Sequence, residues 1–448
     1  MESTIRPQAD ELSILVAGAG IAGLCAAIAL RRAGHRVRIL ERSPQLDNEI
    51  GAAITLAPHA VKIMRLWRLD FAKARLIPRL GQTFIDSVTL AELAPTDRTN
   101  FASQYGAPYL FAHRVDLHAA LRTLATSPDG SGVPAELHTS STVVEYDAER
   151  GGVKVAETGR WEFADLVVAA DGVHSNAATH VLGYHCPAHA TTSTVIRFLI
   201  PTREILDDPH TAPLLRRYGE GHCSFYLHRD QQRWLVRYPC RDNTLQNFGM
   251  YVERPLSKRG RNRSQQQQCR PDDLRAAMAG FHPSLLRLCD KTASTNTILP
   301  LWRCAERSPL PSCQRGKLVV IGDASHPMLP HRGFGAVTAI EDAAALGVLF
   351  EDFVHTTTTA TATAPGSNLN SNSTSNSKSD SVPLSGSART SIPPSASISD
   401  LLETFQNVRL PRTSIAQLYS QVETNKDPTV ERREEALRML PGDQLPRE

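Results

Sequence analysis

Three short stretches of this 448-residue chain combine glycines with a carboxylate at the end of an apolar run. Together they describe a way to hold a phosphate-bearing ligand. The first is Gly18-Ala19-Gly20-Ile21-Ala22-Gly23, followed further on by Glu41. Gly18 permits a tight turn, Gly20 lets a pyrophosphate approach the backbone, and Gly23 allows a helix to pack closely on a strand. Glu41 is spaced to accept from ribose hydroxyls. The second stretch is Asp171-Gly172. The third spans residues 317–347, where Asp323 follows an apolar run and Gly333, Gly335 and Ala336 open the next periodic segment. An aspartate at the end of a strand, with glycines at a helix start, can hold the polar part of a cofactor.

These residues need elements to position them. Residues 14–17 read as an apolar strand, residues 24–32 as a helix rich in Ala and Leu, and residues 37–40 as a second strand ending in Glu41. That is the order of a dinucleotide-binding unit, whose helix N-terminus offers N–H donors and a positive dipole end to phosphate. The mostly apolar run 14–30 is not a membrane or signal segment: three glycines crowd its first half and a basic flank is lacking. Residues 165–170 form another apolar strand, ending in the turn Asp171-Gly172. Residues 318–321 repeat the pattern before Gly322-Asp323.

In this order the three stretches resemble the motifs of the FAD-dependent aromatic-ring hydroxylases, flavoprotein monooxygenases related to salicylate hydroxylase. The resemblance covers about residues 12–350 and, weakly, 400–420. It implies an α/β fold: a Rossmann-type FAD-binding domain with an inserted, mostly antiparallel β-sheet substrate domain and C-terminal helices. It implies FAD as cofactor, NAD(P)H as co-substrate, and hydroxylation of an aromatic or polyketide-like molecule with O2 through a flavin C4a-hydroperoxide. On that basis Gly18, Gly20, Gly23 and Glu41 hold the pyrophosphate and ribose. Ala53, in Gly51-Ala52-Ala53-Ile54, and Arg114 lie beside the flavin. Asp323 accepts from the ribityl hydroxyls, Pro330 shapes the loop, and Gly333, Gly335 and Ala336 present N–H groups to the flavin. The chain departs from the pattern in two places. Relatives often carry an arginine shortly after the position of Ser175, where this chain has Asn176-Ala177-Ala178-Thr179. Phe334, Val337 and Thr338 stand where glutamine, asparagine and glutamine are common. Two alternatives stay open: an FAD oxidase or dehydrogenase of the same fold, and a catalytically silent flavin-binding protein.

The remaining chain divides by pattern. Residues 11–180 form the first part of the cofactor domain and residues 301–354 the second. Between them, residues 181–300 contain strand-like runs at 194–200, 223–228, 234–238 and 247–252, separated by polar turns. Strand alternation puts His222, Ser224, Tyr226 and His228 on one face, and this polar face is expected to line the substrate cavity. Tyr226 or His222 there can hydrogen-bond a phenol or take its proton. Arg197 interrupts an apolar strand, where a charge is costly unless paired, and can pair with a substrate carboxylate or phenolate. Arg237 is the alternative, as a structural cation. Residues 355–398 are Thr/Ala- and then Ser/Asn/Pro-rich, too poor in apolar side chains to form a core, and read as a disordered insertion. Residues 399–448 follow as a helical segment.

Composition narrows the class further. A net charge of +3 with no basic patch among aromatics argues against nucleic acid. Eight cysteines lack metal-ligand spacing, so no metal site is expected, and they read as reduced thiols of a cytoplasmic protein. No further apolar run suggests a transmembrane segment, and oligomeric state leaves no mark in the sequence.

Overall fold

The computed structural model describes residues 11–46, 53–230, 232–253, 266–295, 299–351, 353 and 396–421. Gly51 and Ala52, the low-complexity segment up to residue 395 and residues 422–448 lie outside them.

A six-stranded sheet runs in the order Gln314–Arg315, Leu318–Val320, Leu166–Ala169, Ser13–Ala17, Arg36–Leu40, Glu136–His138. All neighbours pair in parallel except the first two. Its inner strands are apolar on both sides because both faces are covered. Ile14, Val16, Val168 and Val319 point into a core shared with the helices Ile21–Arg32 and Gly335–Phe350. Leu15, Ala17, Val167 and Val320 point the other way. There they meet a small antiparallel sheet made of Val143–Asp147, Gly152–Val155 and Trp161–Phe163. Gly347 lets the two helices approach closely, since a Cβ there would sit 2.8 Å from that of Ala29.

A second, seven-stranded sheet runs in the order Gln266–Cys269, Leu299–Glu306, His189–Pro201, Leu245–Val252, Arg233–Cys240, His222–Leu227, Gly81–Asp86. Every pair is antiparallel except the last, which is parallel. The sheet is therefore not confined to residues 181–300. Its edge strand Gly81–Asp86 comes from the first cofactor segment, and Leu299–Glu306 runs past residue 300. The alternating burial of Gly81–Asp86 marks it as a strand, but local alternation does not specify a partner.

The two faces of this sheet meet different surroundings. Ile196, Phe198, Tyr226, Leu235 and Phe248 pack under the helices Pro271–Ala277 and Pro283–Thr295. Val195, Phe225, Trp234, Val236 and Tyr251 pack instead on Ile77, Phe111 and Leu329, which come from outside this sheet. Ile77 and Phe111 lie in a three-stranded sheet of Ala53–Leu56, Leu110–His113 and Ile77–Pro78 that bridges the two large sheets. A late helix, Ile398–Ser420, opens with a Ser397/Asp400 capping box and contains Pro411. It packs on the helix Gly335–Phe350. Among the described residues, no helix is long and apolar enough to cross a membrane, and no cluster of metal-ligating side chains occurs. All the cysteines except Cys186 are buried, and none is in a disulfide.

Candidate functional site

The two turns that follow Ser13–Ala17 and Leu166–Ala169 lie side by side and wall a cleft of about 380 Å³, within the usual range of small-molecule sites. Gly18, Gly20, Glu41, Arg114, His118, Asp171 and Gly172 line it. Gly18 has φ +99°, and a Cβ on it would come within 2.5 Å of the Ala170 carbonyl oxygen. Only glycine lets the first turn nest against the second. A Cβ on Gly23 would come within 1.9 Å of the Gly18 oxygen, while the space over Gly20 is open to at least 4 Å. The arrangement leaves a bare helix N-terminus facing an open cleft, which fits a pyrophosphate. Glu41 holds the turn from the next strand: its Oε2 accepts from Ala19 N at 2.8 Å and its Oε1 from Ser43 N at 2.8 Å. His118 Nε2 donates to the Ala19 oxygen at 2.7 Å.

At the second turn, Tyr146 Oη donates to Asp171 Oδ2 at 2.7 Å. Burial pushes the Asp171 carboxyl up from its ordinary value, opposed by Ser175, Tyr146 and Arg42. Asn176 ties this turn to the small antiparallel sheet, its Nδ2 donating to the Val144 oxygen at 2.8 Å.

The third stretch does not line this cleft and is linked to it through Arg114, a lining residue that acts on Asp323. Asp323 sits in a 3-10 turn, Gly322–Ala324, after the strand Leu318–Val320. The residue is exposed, yet the protein packed around its carboxyl raises the pKa; His326 and Arg114 oppose the rise. Gly335 begins the following helix so near that a Cβ there would lie 3.8 Å from Asp323 Oδ1. Gly333 has φ +68°, and a Cβ there would lie 2.5 Å from Thr55 Oγ1, so glycine brings this loop onto the strand Ala53–Leu56. Ala53 is held through its backbone by the seven-stranded sheet: its N–H donates to Asn247 Oδ1 at 3.0 Å, and its oxygen accepts from Tyr238 Oη at 2.7 Å.

Register decides which sheet residues share that side. Phe225 pairs with Val236, Val236 with Gly249 and Gly249 with Arg197, so these four point to one face. It is the face carrying Tyr238 and Asn247, packed on Ile77, Phe111 and Leu329. Arg197 is half-buried there and hydrogen-bonds Tyr251, whose phenol burial pushes up to about 12 against the pull of Arg197. Tyr251 stacks on Trp234 at 3.7 Å between ring centroids, and the His331 ring stands edge-on at 6.1 Å.

The expectation for the polar face of His222–Leu227 is corrected. Tyr226 pairs with Leu235, Leu235 with Met250 and Met250 with Ile196, all in the helix-covered core. Tyr226 is 2% exposed and points away from Ala53 and Leu329. His222 shares that face, bonded to Thr83 Oγ1 at 3.0 Å and stacked on Tyr218. Alternation identified the residues sharing a face, but tertiary packing decides which face the helices cover. Arg237 lies on the same far face and is 2% exposed. Its Nη1 donates to the His222 oxygen and to Gln246 Oε1, each at 3.1 Å.

Sequence reasoning missed Tyr238 and Asn247. Their signal was present: Asn247 is a polar residue in an apolar strand, as Arg197 is, and register puts it opposite Tyr238.

Comparison with known proteins gives a consistent picture. The chain matches the family model described as FAD binding domain over residues 11–360. It is 34% identical over 343 residues to an FAD-dependent monooxygenase, cfoG, of Aspergillus candidus, covering 76% of this chain and 77% of that protein. It is 33% identical to a 6-hydroxynicotinate 3-monooxygenase of Bordetella bronchiseptica, covering 75% of this chain and 82% of the relative. In fold it is similar to salicylate hydroxylase solved with substrate, at a TM-score of 0.68 and 20% identity, over 96% of this chain and 92% of the other.

Proposed function

The chain belongs to the FAD-binding-domain family of FAD-dependent monooxygenases, and we propose that it hydroxylates an aromatic small molecule held between the Arg197 face of the seven-stranded sheet and the Leu329–Gly333 loop. The relatives named for their substrates act on aromatic rings, among them 6-hydroxynicotinate and hispidin. The observation that carries this reading is the register that puts Arg197 on the same sheet face as Tyr238 and Asn247, the two residues that hold Ala53.

FAD, when bound, supplies the reaction of O2 with electrons taken from NAD(P)H. The chain's own residues bind and orient. The Gly18, Gly20 and Gly23 turn takes the pyrophosphate, and Glu41 lies where a ribose hydroxyl can reach it. Asp323 takes the ribityl hydroxyls, flanked by Arg114. Gly333, Gly335 and Ala336 offer backbone N–H groups beside Ala53. Arg197 pairs with an anionic oxygen of the substrate ring and so favours the phenolate form, whose ring is more electron-rich than that of the phenol. Tyr251 keeps its proton at neutral pH and serves as a donor rather than a base. Trp234, Tyr251 and Leu329 supply apolar wall that excludes water. Tyr226 has no part in this assignment.

Turnover of a panel of phenols and aromatic acids by the FAD-loaded protein, with NAD(P)H under isotopically labelled O2, tests the proposal. Label in the product supports hydroxylation. Oxidised product without label identifies an oxidase or dehydrogenase, and no NAD(P)H consumption with any aromatic sinks the proposal.

A further inference from the structure

Two adjacent carboxylates on the helix Gly335–Phe350 serve two different segments of the cofactor site. Asp342 Oδ2 accepts from Gly322 N at 3.1 Å and from His326 Nε2 at 2.6 Å. These partners bracket Asp323 on either side in the chain. Glu341 Oε1 stands 3.4 Å from His59 Nε2, on the helix Pro58–Leu66 that continues the Ala53–Leu56 strand.

Both carboxylates are gripped from the late helix. Arg409 donates from Nε to Asp342 Oδ1 at 2.8 Å, from Nη1 to Glu341 Oε2 at 3.0 Å and from Nη2 to the Thr338 oxygen at 3.1 Å. Arg412 adds a fork onto Glu341 at 2.7 and 2.6 Å. The side chains of Asp342, His326 and Arg409 are 2%, 3% and 6% exposed. Burial alone would raise the Asp342 carboxyl; His326, Arg409 and the Gly322 N–H outweigh it and hold it well below the usual carboxylate range.

A solvated ion pair contributes little, but a buried one that loses a partner strands a charge. The network is buried, and Arg409 spends its whole guanidinium fork on it. The path runs Arg409, Asp342, His326, Asp323, and both His326 and Arg114 act electrostatically on Asp323.

We propose that Arg409 is a positioning residue for FAD: by fixing Asp342 it sets the turn and the charge environment of Asp323, so the late helix tunes cofactor affinity without touching the cofactor. The proposal rests on the assignment of Asp323 to FAD. A residue that merely glued helices together would lower stability without regard to Asp323. One that acts through Asp323 loses its effect once Asp323 is altered.

The test is FAD titration of the full-length apoprotein by flavin fluorescence, for wild type, Arg409→Ala, Arg409→Lys, Asp323→Asn and the Arg409→Ala/Asp323→Asn pair. Each of Arg409→Ala and Asp323→Asn is expected to weaken FAD binding by about tenfold, a middling size for coupling between distinct positions. The double variant is expected to be no weaker than the weaker single, because the two share one path. Arg409→Lys, which keeps the charge, recovers part of the affinity. Losses that multiply in the double variant overturn the proposal, as does wild-type affinity in Arg409→Ala. Unchanged affinity in Asp323→Asn alone also overturns it, and that arm, free of any Arg409 change, identifies the assignment of Asp323 as the failed premise. If Arg409→Ala does not fold, Arg409→Lys paired with Asp323→Asn carries the same comparison.

Discussion

Arg197 and Arg237 lie in the same sheet, two strands apart, and both interrupt apolar runs. Their surroundings differ in kind. Arg237 is closed in under helices, its Nη1 fixed to the His222 oxygen and Gln246 and its environment polar but without a carboxylate among the groups that act on it. Arg197 is half-buried on the opposite face, next to Tyr251 and across from the loop that ends at Gly333. One guanidinium is enclosed by its own chain and held through Nη1, its Nε and Nη2 finding no hydrogen-bond partner, and the other lies half-buried on the face that packs on Ile77, Phe111 and Leu329. Residue type and strand context are alike; orientation separates a cation buried under helices from one on the opposite face, which we propose meets the substrate.

The largest effect that could break this contrast is on stability. Arg237→Ala leaves a cavity and two stranded acceptors, so unfolding free energy should fall by about 3 kcal/mol, read as a lower denaturant midpoint. FAD affinity of the folded fraction should be unchanged; a selective loss of turnover at full stability would reverse the roles of the two arginines. Arg197→Ala should do the opposite. Its kcat/KM should drop by about a hundredfold, or about 2.7 kcal/mol of transition-state stabilisation, while its unfolding free energy stays within about 0.5 kcal/mol of wild type.

A smaller effect comes from pH. Burial, then Arg237 and its neighbouring arginines, push His222 down to about 4, against an unfolded value of about 6.5. The unfolded chain therefore takes up this proton first on acidification. The stability that His222 contributes is complete above about pH 6.5 and is lost as pH falls toward 4. At pH 5 the loss should be about 1–2 kcal/mol, and His222→Asn should shrink the difference between thermal midpoints at pH 7 and pH 5. The smallest change is Tyr226→Phe. It should cost about 1 kcal/mol of stability and leave kcat and KM alone; a large loss of kcat would put Tyr226 back among the catalytic residues.

What the sequence made legible follows from how local each feature is. The Gly18-x-Gly20-x-x-Gly23 turn, Asp171-Gly172 and the Asp323 loop are each written in a few consecutive residues, and each strand or helix beside them was readable from its own periodicity. Arg197 was readable as a charge inside an apolar strand. The facing of Tyr226 was not, because a strand with polar residues on one side and apolar ones on the other normally shows water its polar side, whereas here helices bury it. The parallel pairing of His222–Leu227 with Gly81–Asp86 was equally hidden, since nothing local in either strand names the other. The grip of Arg409 on Asp342 joins segments on either side of a long low-complexity stretch, and only packing brings them together.

The edge strand Gly81–Asp86 has a consequence for engineering. Residues 181–300 look like a transplantable cassette, but their outermost strand pairs with a ribbon threaded in from the first third of the chain. A graft of 181–300 alone would leave His222–Leu227 with an open hydrogen-bonding edge in its new host and Gly81–Asp86 with another in the old one, an invitation to aggregate at both ends. Recombination that respects the molecule must move both pieces together, or cut elsewhere.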